Sequence, residues 1–288
     1  MPANQTHLEG ALPVQQLEAA AADGHRWGLE AVIPESPTAR LLWLPALGTA
    51  ERHYLPLAQA LAARGVAVFL HEWRGHGSSN LRAGRECSWG YRELLELDLP
   101  GSEAVMASTL GAGMTRIMGG HSLGGQLACC RVALHPAAAA QVWLVGSGAP
   151  WWRVFPAPVR WWLLIAYRVL PWLARINGKL PGRRIGFGGR EARGLITDWA
   201  RTAMSGLYAA EGMAADLEGA LSCASPAIRG VVLADDWYAP ESSLNFLLGK
   251  MPQANILVTT LDDAALGIAA DHFKWMKRPD AVAAALLG

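Results

Sequence analysis

The sequence has few of the residues that mark several other classes of protein. Its four cysteines, Cys87, Cys129, Cys130 and Cys223, are too few for a disulfide scaffold in a chain of 288 residues, and their spacing does not fit metal ligands. We therefore expect reduced thiols, no metal site and no cofactor. The net charge is only +1 and no long run has a single sign, so the charge pattern does not favour nucleic acid as a partner.

Long apolar runs are also scarce. Residues 1–18 lack a basic segment followed by an apolar one, so we expect no signal peptide and a cytoplasmic protein. Residues 159–176 form the most apolar stretch, but three arginines interrupt it and Pro171 is expected to break it, which excludes a membrane-spanning helix. Two interpretations of this segment remain: contact with a membrane surface, or cover for an apolar pocket.

Alternating strand and helix signals occupy the rest of the chain. A turn at Asp23-Gly24 separates two extended runs and predicts an opening hairpin. Short apolar runs then alternate with helical patterns as far as residue 150, and the same alternation returns after residue 214. The sequence therefore predicts an α/β fold in which a mainly parallel sheet is covered by helices on both faces. Residues 1–150 and 214–288 are expected to form this core domain.

Residues 151–213 break the alternation. They hold six of the 13 tryptophans and many arginines, with no clear strand. We interpret them as a helical cap inserted over the carboxyl edge of the sheet, where open α/β sheets bind ligands. Trp151, Trp152 and Trp161 are candidate substrate-binding residues there. The alternative is that the tryptophans form an aromatic core that packs the insertion onto the main domain.

A glycine-rich turn surrounds Ser122. Residues 120–124 read Gly-His-Ser-Leu-Gly, between an apolar strand and an amphipathic helix. This is the context of a nucleophile elbow, in which glycines allow a sharp strand-to-helix turn and the helix N-terminus favours developing negative charge. Ser122 is therefore a candidate nucleophile, and the alternative is a glycine-rich turn with a capping serine.

An activated serine needs a base and an orienting acid. Only two histidines follow Ser122, and the nearer, His135, lies about 20 Å away along the helix after the serine. His272, in a turn after the last strand, is the candidate base. Asp235 and Asp236 both follow the apolar run of the penultimate strand and are candidate acids; Asp236 is preferred, with Asp235 as a turn residue. Asp262 and Asp263 are weaker candidates in the loop before His272.

These residues carry a family resemblance. The chain resembles serine hydrolases of the α/β-hydrolase superfamily, the group that includes monoglyceride lipases, esterases and prolyl-aminopeptidase-type peptidases. The resemblance covers nearly the whole chain except the insertion, and it rests on six segments: Pro45 to Gly48, Arg74 to Ser79, Gly90 to Pro100, Gly120 to Gly125, Asp235 to Pro240, and His272-Phe273.

The resemblance implies acyl transfer through a covalent intermediate on Ser122. It also implies an oxyanion hole made by the backbone N–H groups of Leu123 and Leu47, although this chain has Pro45-Ala46 where many relatives have His-Gly. The expected substrate is a carboxylic ester with an apolar acyl or alcohol part. An acyltransferase, thioesterase, lactonase or peptidase would use the same triad, and a receptor-like binder is the non-enzymatic alternative.

The segment around Trp73 and His76 also resembles the family. It is interpreted chiefly as a structural turn, with contact to a ligand as the lesser alternative.

Overall fold

The computed structural model describes residues 11–111 and 113–288; the first ten residues, which include part of the stretch searched for a leader, lie outside the described residues. A single eight-stranded sheet forms the centre of the molecule, and a separate pair of short strands lies apart from it. In chain order the strands are β1 (Val14–Ala20), β2 (Arg26–Val32), β3 (Ala39–Leu44), β4 (Val66–Leu70), β5 (Thr115–His121), β6 (Gln141–Val145), β7 (Lys179–Pro181), β8 (Arg190–Ala192), β9 (Ala227–Leu233) and β10 (Asn255–Leu261).

The main sheet has the order β1-β2-β4-β3-β5-β6-β9-β10. Strands β4, β3, β5, β6, β9 and β10 are parallel, and β2 pairs antiparallel with both β1 and β4. The predicted mainly parallel sheet is confirmed, with the predicted hairpin at its edge. From β3 the chain goes first to one side, to β4, and then to the other, to β5. The carboxyl ends of β3 and β5 therefore meet at the crevice where such sheets bind ligands.

Helices cover both faces of the sheet. They are α1 (Leu55–Ala62), α2 (Tyr91–Glu93), α3 (Leu99–Leu110), α4 (Leu123–Leu134), α5 (Val159–Asn177), α6 (Gly182–Ile185), α7 (Arg193–Ser205), α8 (Leu217–Cys223), α9 (Glu241–Leu248), α10 (Asp263–Leu266) and α11 (Asp280–Leu287). Alternate residues of β3 enter different cores: Leu42 and Leu44 pack in one apolar cluster, Leu41 and Trp43 in the other. This alternation explains why β3 is apolar from Leu41 to Leu44, since both of its faces are buried there.

The segment between β6 and β9 differs from the expectation in two respects. It is not purely helical, because β7 and β8 pair antiparallel between α5 and α7. In addition, α5 continues through Pro171 instead of breaking there. Proline removes one helical hydrogen bond, but packing holds the helix on both sides of it. Before the proline, Tyr167 of α5 meets Trp199 of α7 edge to face, with ring centroids 5.0 Å apart, and after it Ala174 is fully buried. Among the described residues, no helix is both long and apolar enough to cross a membrane.

Candidate active site

Ser122 occupies a strained turn between β5 and α4. Its φ of 54° and ψ of −118° make it the only residue other than glycine with a positive φ in the described part of the chain. A Cβ at Gly120 would collide with the backbone of Gly124, and a Cβ at Gly124 would collide with the carbonyl of Leu44. The Ser147 hydroxyl donates a hydrogen bond of 2.7 Å to the Ser122 carbonyl oxygen. Close backbone packing and this bond hold the serine at the carboxyl edge of the sheet.

Asp236 and His272 are in direct contact. The His272 Nδ1 lies 2.7 Å from Asp236 Oδ2, and both side chains are buried. The other carboxylate oxygen, Oδ1, accepts the backbone N–H groups of Tyr238 and Ala239 at 2.9 and 3.0 Å. Asp235 is exposed, and its own N–H donates to the Ala270 carbonyl. Of the two adjacent aspartates, only Asp236 is placed to orient the imidazole.

The two weaker aspartate candidates stabilise the loop before His272. Asp262 Oδ1 accepts the Ala265 N–H and caps α10. Asp263 Oδ1 accepts the Ala270 N–H at 2.6 Å. Both carboxylates are therefore used in local backbone hydrogen bonds, which fix the loop that carries the histidine.

A buried tyrosine connects the nucleophile strand to the loop after β3. The Ala46 N–H donates to the Tyr54 hydroxyl at 2.9 Å, and the same hydroxyl lies 2.9 Å from His121 Nδ1. Because the hydroxyl accepts from Ala46, its own proton is available for His121, whose Nδ1 then acts as the acceptor. Burial lowers the pKa of His121 well below its ordinary value, and the nearby His272 lowers it further, so His121 is a neutral acceptor.

The loop after β3 is held from its other side by Trp73, whose indole N–H donates to the Pro45 carbonyl at 2.9 Å. Leu47, two residues after Pro45, and Leu123, the residue after Ser122, both line the cavity beside the serine. Neither backbone N–H donates a hydrogen bond within the described residues. The arrangement leaves two free donors beside Ser122, as an oxyanion hole requires.

One cavity of about 450 Å³ adjoins the serine. Ser122 and His272 both line it, together with the inner side of α5, the loop after α6, and residues that follow β9. Its surface is mostly apolar, and Gln126, one helical turn after the serine, is among its few polar residues. No direct hydrogen bond joins Ser122 to His272 in the described residues, and hydrogen bonds between catalytic groups are commonly long in the absence of a substrate.

The structure places the three candidate tryptophans away from this cavity. Trp151 packs on Phe246, with ring centroids 4.5 Å apart, and Trp152 packs on the largely exposed Trp161. None of these three tryptophans lines the cavity, so the cavity lining gives no support to their predicted contact with a substrate. The indoles that do line it belong to Trp162, Trp199 and Trp237.

Trp73 and His76 also lie outside the cavity lining. Trp73 acts on the loop after β3, as described above, and His76 Nε2 lies 3.4 Å from Glu191 Oε2 on β8. Burial disfavours the charged imidazole, but the Glu191 carboxylate outweighs this and raises the pKa of His76. This contact ties the turn after β4 to the insertion.

The sequence did not predict two residues that support the site, Tyr54 and Ser147, or the polar lining residue Gln126. Tyr54 and Ser147 lie outside the glycine-rich turn that they support, and Gln126 resembles any polar residue of an amphipathic helix. No local pattern distinguishes them, because their partners are distant in sequence or are backbone atoms.

Comparison with known proteins agrees with this geometry. The family model described as "Serine aminopeptidase, S33" matches residues 35–192, which is more than half of the chain. The chain therefore belongs to this family of α/β hydrolases. No curated protein gave a significant match.

Solved structures share the fold over nearly the whole chain. A hydrolase from Pseudomonas aeruginosa PA01 is 17% identical with a TM-score of 0.59, and the match covers 99% of this chain and 98% of that one. A thermophilic esterase from Thermogutta terrifontis is 18% identical with a TM-score of 0.58, over 95% and 97%. A thioesterase domain from the curacin biosynthetic pathway is 15% identical with a TM-score of 0.56, over 96% and 100%. The predicted α/β-hydrolase fold is confirmed.

Proposed function

We propose that this chain is a serine hydrolase that cleaves carboxylic esters with an apolar acyl or alcohol part, and that residues 151–213 form a cap over its site. The observation that carries the proposal is the shared cavity: Ser122 and His272 both line one apolar space, and Asp236 Oδ2 contacts the His272 Nδ1. Acyl transfer needs a nucleophile, a base next to it, and an acid that orients the base.

In the proposed reaction, Ser122 Oγ attacks the ester carbonyl carbon while His272 Nε2 takes the hydroxyl proton. Negative charge then develops on the carbonyl oxygen, where the N–H groups of Leu47 and Leu123 would stabilise it. His272 returns the proton to the leaving alcohol, and an acyl-enzyme remains on the serine. His272 next takes a proton from water as the water oxygen attacks the acyl carbon, and it then gives this proton to Ser122 Oγ as the carbon–Oγ bond breaks, which releases the acid and restores the free serine. This chemistry requires only the protein's own groups.

The cavity lining favours ester cleavage over aminopeptidase activity. An aminopeptidase must bind the charged α-amino group of its substrate, for which a carboxylate is the ordinary partner. None of the described residues that line this cavity is aspartate or glutamate. The lining is instead aliphatic and aromatic on several sides, which favours an apolar group beside the scissile carbonyl.

The test combines a covalent probe with a substrate series. Intact-protein mass spectrometry after treatment with a fluorophosphonate is expected to show one adduct, which is absent from Ser122→Ala and retained in the exposed-serine control Ser222→Ala. With p-nitrophenyl esters of increasing acyl length, kcat/KM is expected to rise by up to about fourfold per methylene until the cavity is full, because each buried methylene contributes about 0.8 kcal/mol.

Two results would contradict the proposal. One is a folded wild-type protein that forms no adduct and turns over no ester. The other is an adduct that survives in Ser122→Ala, since the reactive group would then lie elsewhere. Addition of a competing alcohol separates a hydrolase from an acyltransferase, because only a transferase would form the new ester as its main product.

A further inference from the structure

The outer face of α5 is apolar and uncovered. Trp172 is 59% exposed, and its neighbours on the same face are also exposed. Successive residues of a helix are about 100° apart, so these residues fall within a sector of about 100°. The face consists of Trp161, Trp162, Ile165, Val169, Trp172 and Ile176. Soluble proteins rarely leave so large a contiguous apolar surface without a partner.

Positive charge flanks this face, and the segment that contains it has no negatively charged residue. Residues 151–190 contain seven arginines, one lysine and no aspartate or glutamate. Arg168 and Arg175 lie directly beside the apolar face of α5. Six of the arginines are exposed, and within the described residues none of the six forms a salt bridge: Arg153, Arg168, Arg175, Arg183, Arg184 and Arg190.

The same face adjoins the mouth of the cavity. Trp162 is 72% exposed and also lines the cavity, as do the partly exposed Trp237 and Phe273. The inner side of α5 contributes further lining residues, so a single helix separates the cavity from the exposed face. An apolar substrate that leaves a lipid phase beside Trp162 would enter the cavity without crossing water.

We propose that the outer face of α5 binds the surface of an anionic lipid bilayer. Tryptophan and isoleucine side chains would enter the boundary between headgroups and acyl chains, while the arginines contact the lipid phosphates. The positive charge beside α5 favours a bilayer over a second copy of this chain as the partner. Two copies joined through this face would bring their unpaired arginines together, and such like-charge contact is costly, whereas an anionic surface complements it.

This binding is independent of the serine chemistry, so it is tested in the Ser122→Ala background. Co-sedimentation would compare vesicles of phosphatidylcholine alone with vesicles of phosphatidylcholine and phosphatidylglycerol in equal amounts. The protein is expected to sediment with the anionic vesicles, to bind the neutral ones much more weakly, and to be released as salt is raised. Tryptophan fluorescence should shift to shorter wavelength on binding, because the exposed indoles leave water.

Variants of α5 identify the surface. Trp172→Ser removes one apolar anchor and is expected to weaken binding to both kinds of vesicle. Arg168→Gln with Arg175→Gln is expected to weaken binding to the anionic vesicles by about 30-fold, since each basic residue near such a surface contributes about 1 kcal/mol. The matched control is Arg64→Gln with Arg116→Gln, which removes the same charge at the opposite edge of the sheet, before β4 and at the start of β5.

Three outcomes overturn the proposal. In the first, the protein stays in solution with anionic vesicles. In the second, the α5 variants and the control lose binding equally, so that only net charge matters. In the third, sedimentation velocity shows a dimer that Trp172→Ser dissociates, and a second copy then covers the face. Circular dichroism of each variant verifies that it is folded, so a loss of binding can be assigned to the surface.

Discussion

The hydroxyl of Tyr54 offers the sharpest test of how the site is held. It lies in a fully buried position between the Ala46 N–H and His121 Nδ1. Tyr54→Phe keeps the ring and removes only this oxygen. The change leaves a buried donor and a buried acceptor without partners, and each such group costs about 1–3 kcal/mol. We therefore expect the free energy of unfolding to fall by about 2–6 kcal/mol, which corresponds to about 4–12 °C in Tm at about 2 °C per kcal/mol.

Tyr91 provides a matched control. It is equally buried, but its hydroxyl has no hydrogen-bond partner among the described residues. Tyr91→Phe therefore removes an unpaired polar atom, and we expect it to be neutral or slightly stabilising. Urea unfolding of both variants, followed by far-UV circular dichroism, measures the difference. The reasoning is refuted if both variants unfold at the same urea concentration.

The same substitution should affect the proposed reaction. Ala46 precedes Leu47, so the loss of its bond to Tyr54 lets the oxyanion loop shift. The complete loss of one oxyanion donor costs about 10²–10³ in kcat, and we expect the partial displacement in Tyr54→Phe to cost about tenfold with little change in KM. If stability falls while kcat is unchanged, Tyr54 supports the core without positioning the loop.

Three further predictions concern the acid, the cavity and pH. Asp236→Asn is expected to lower kcat by about 10⁴ while Asp235→Asn leaves it nearly unchanged; equal losses in ester assays would contradict the choice of acid. Ala166→Phe fills cavity space beside α5, so the preferred p-nitrophenyl ester should become shorter with little loss on acetate; an unchanged preference would place the acyl group elsewhere. Burial lowers the pKa of His71 to about 4, so the unfolded chain binds a proton more readily than the folded protein does. The stability from neutral His71 is complete above about pH 6.5 and is lost as pH falls towards 4. In the wild type, the free energy of unfolding measured with urea should therefore decline between pH 7 and pH 5, and His71→Gln should reduce this decline by about 2 kcal/mol. An unchanged decline in the variant would refute this.

The sequence predicted the fold class well because strand and helix patterns are local and repeated. The apolar run from Leu41 to Leu44 in β3 indicated a buried strand, and the structure confirms a mainly parallel sheet. The prediction was weaker in residues 151–213. There the short pair β7 and β8 has too few residues to show a period, and α5 tolerates Pro171 because tertiary packing supports it.

Neighbouring residues defined the elbow, but orientation decided which of several similar residues face the site. The sequence offered adjacent aspartates at 235 and 236, and the structure turns only Asp236 towards His272. Trp161 and Trp162 are likewise adjacent, yet a rotation of about 100° per helical residue sends only Trp162 to the cavity.

The sequence by itself thus determined the strand-helix order and the sharp turn at Ser122, since both depend on residues close together in the chain. Only the tertiary structure decided the contact between Asp236 and His272, the support of the β3 loop by Tyr54, and the lining of the cavity. Those features depend on the direction in which each side chain points once distant segments pack against one another.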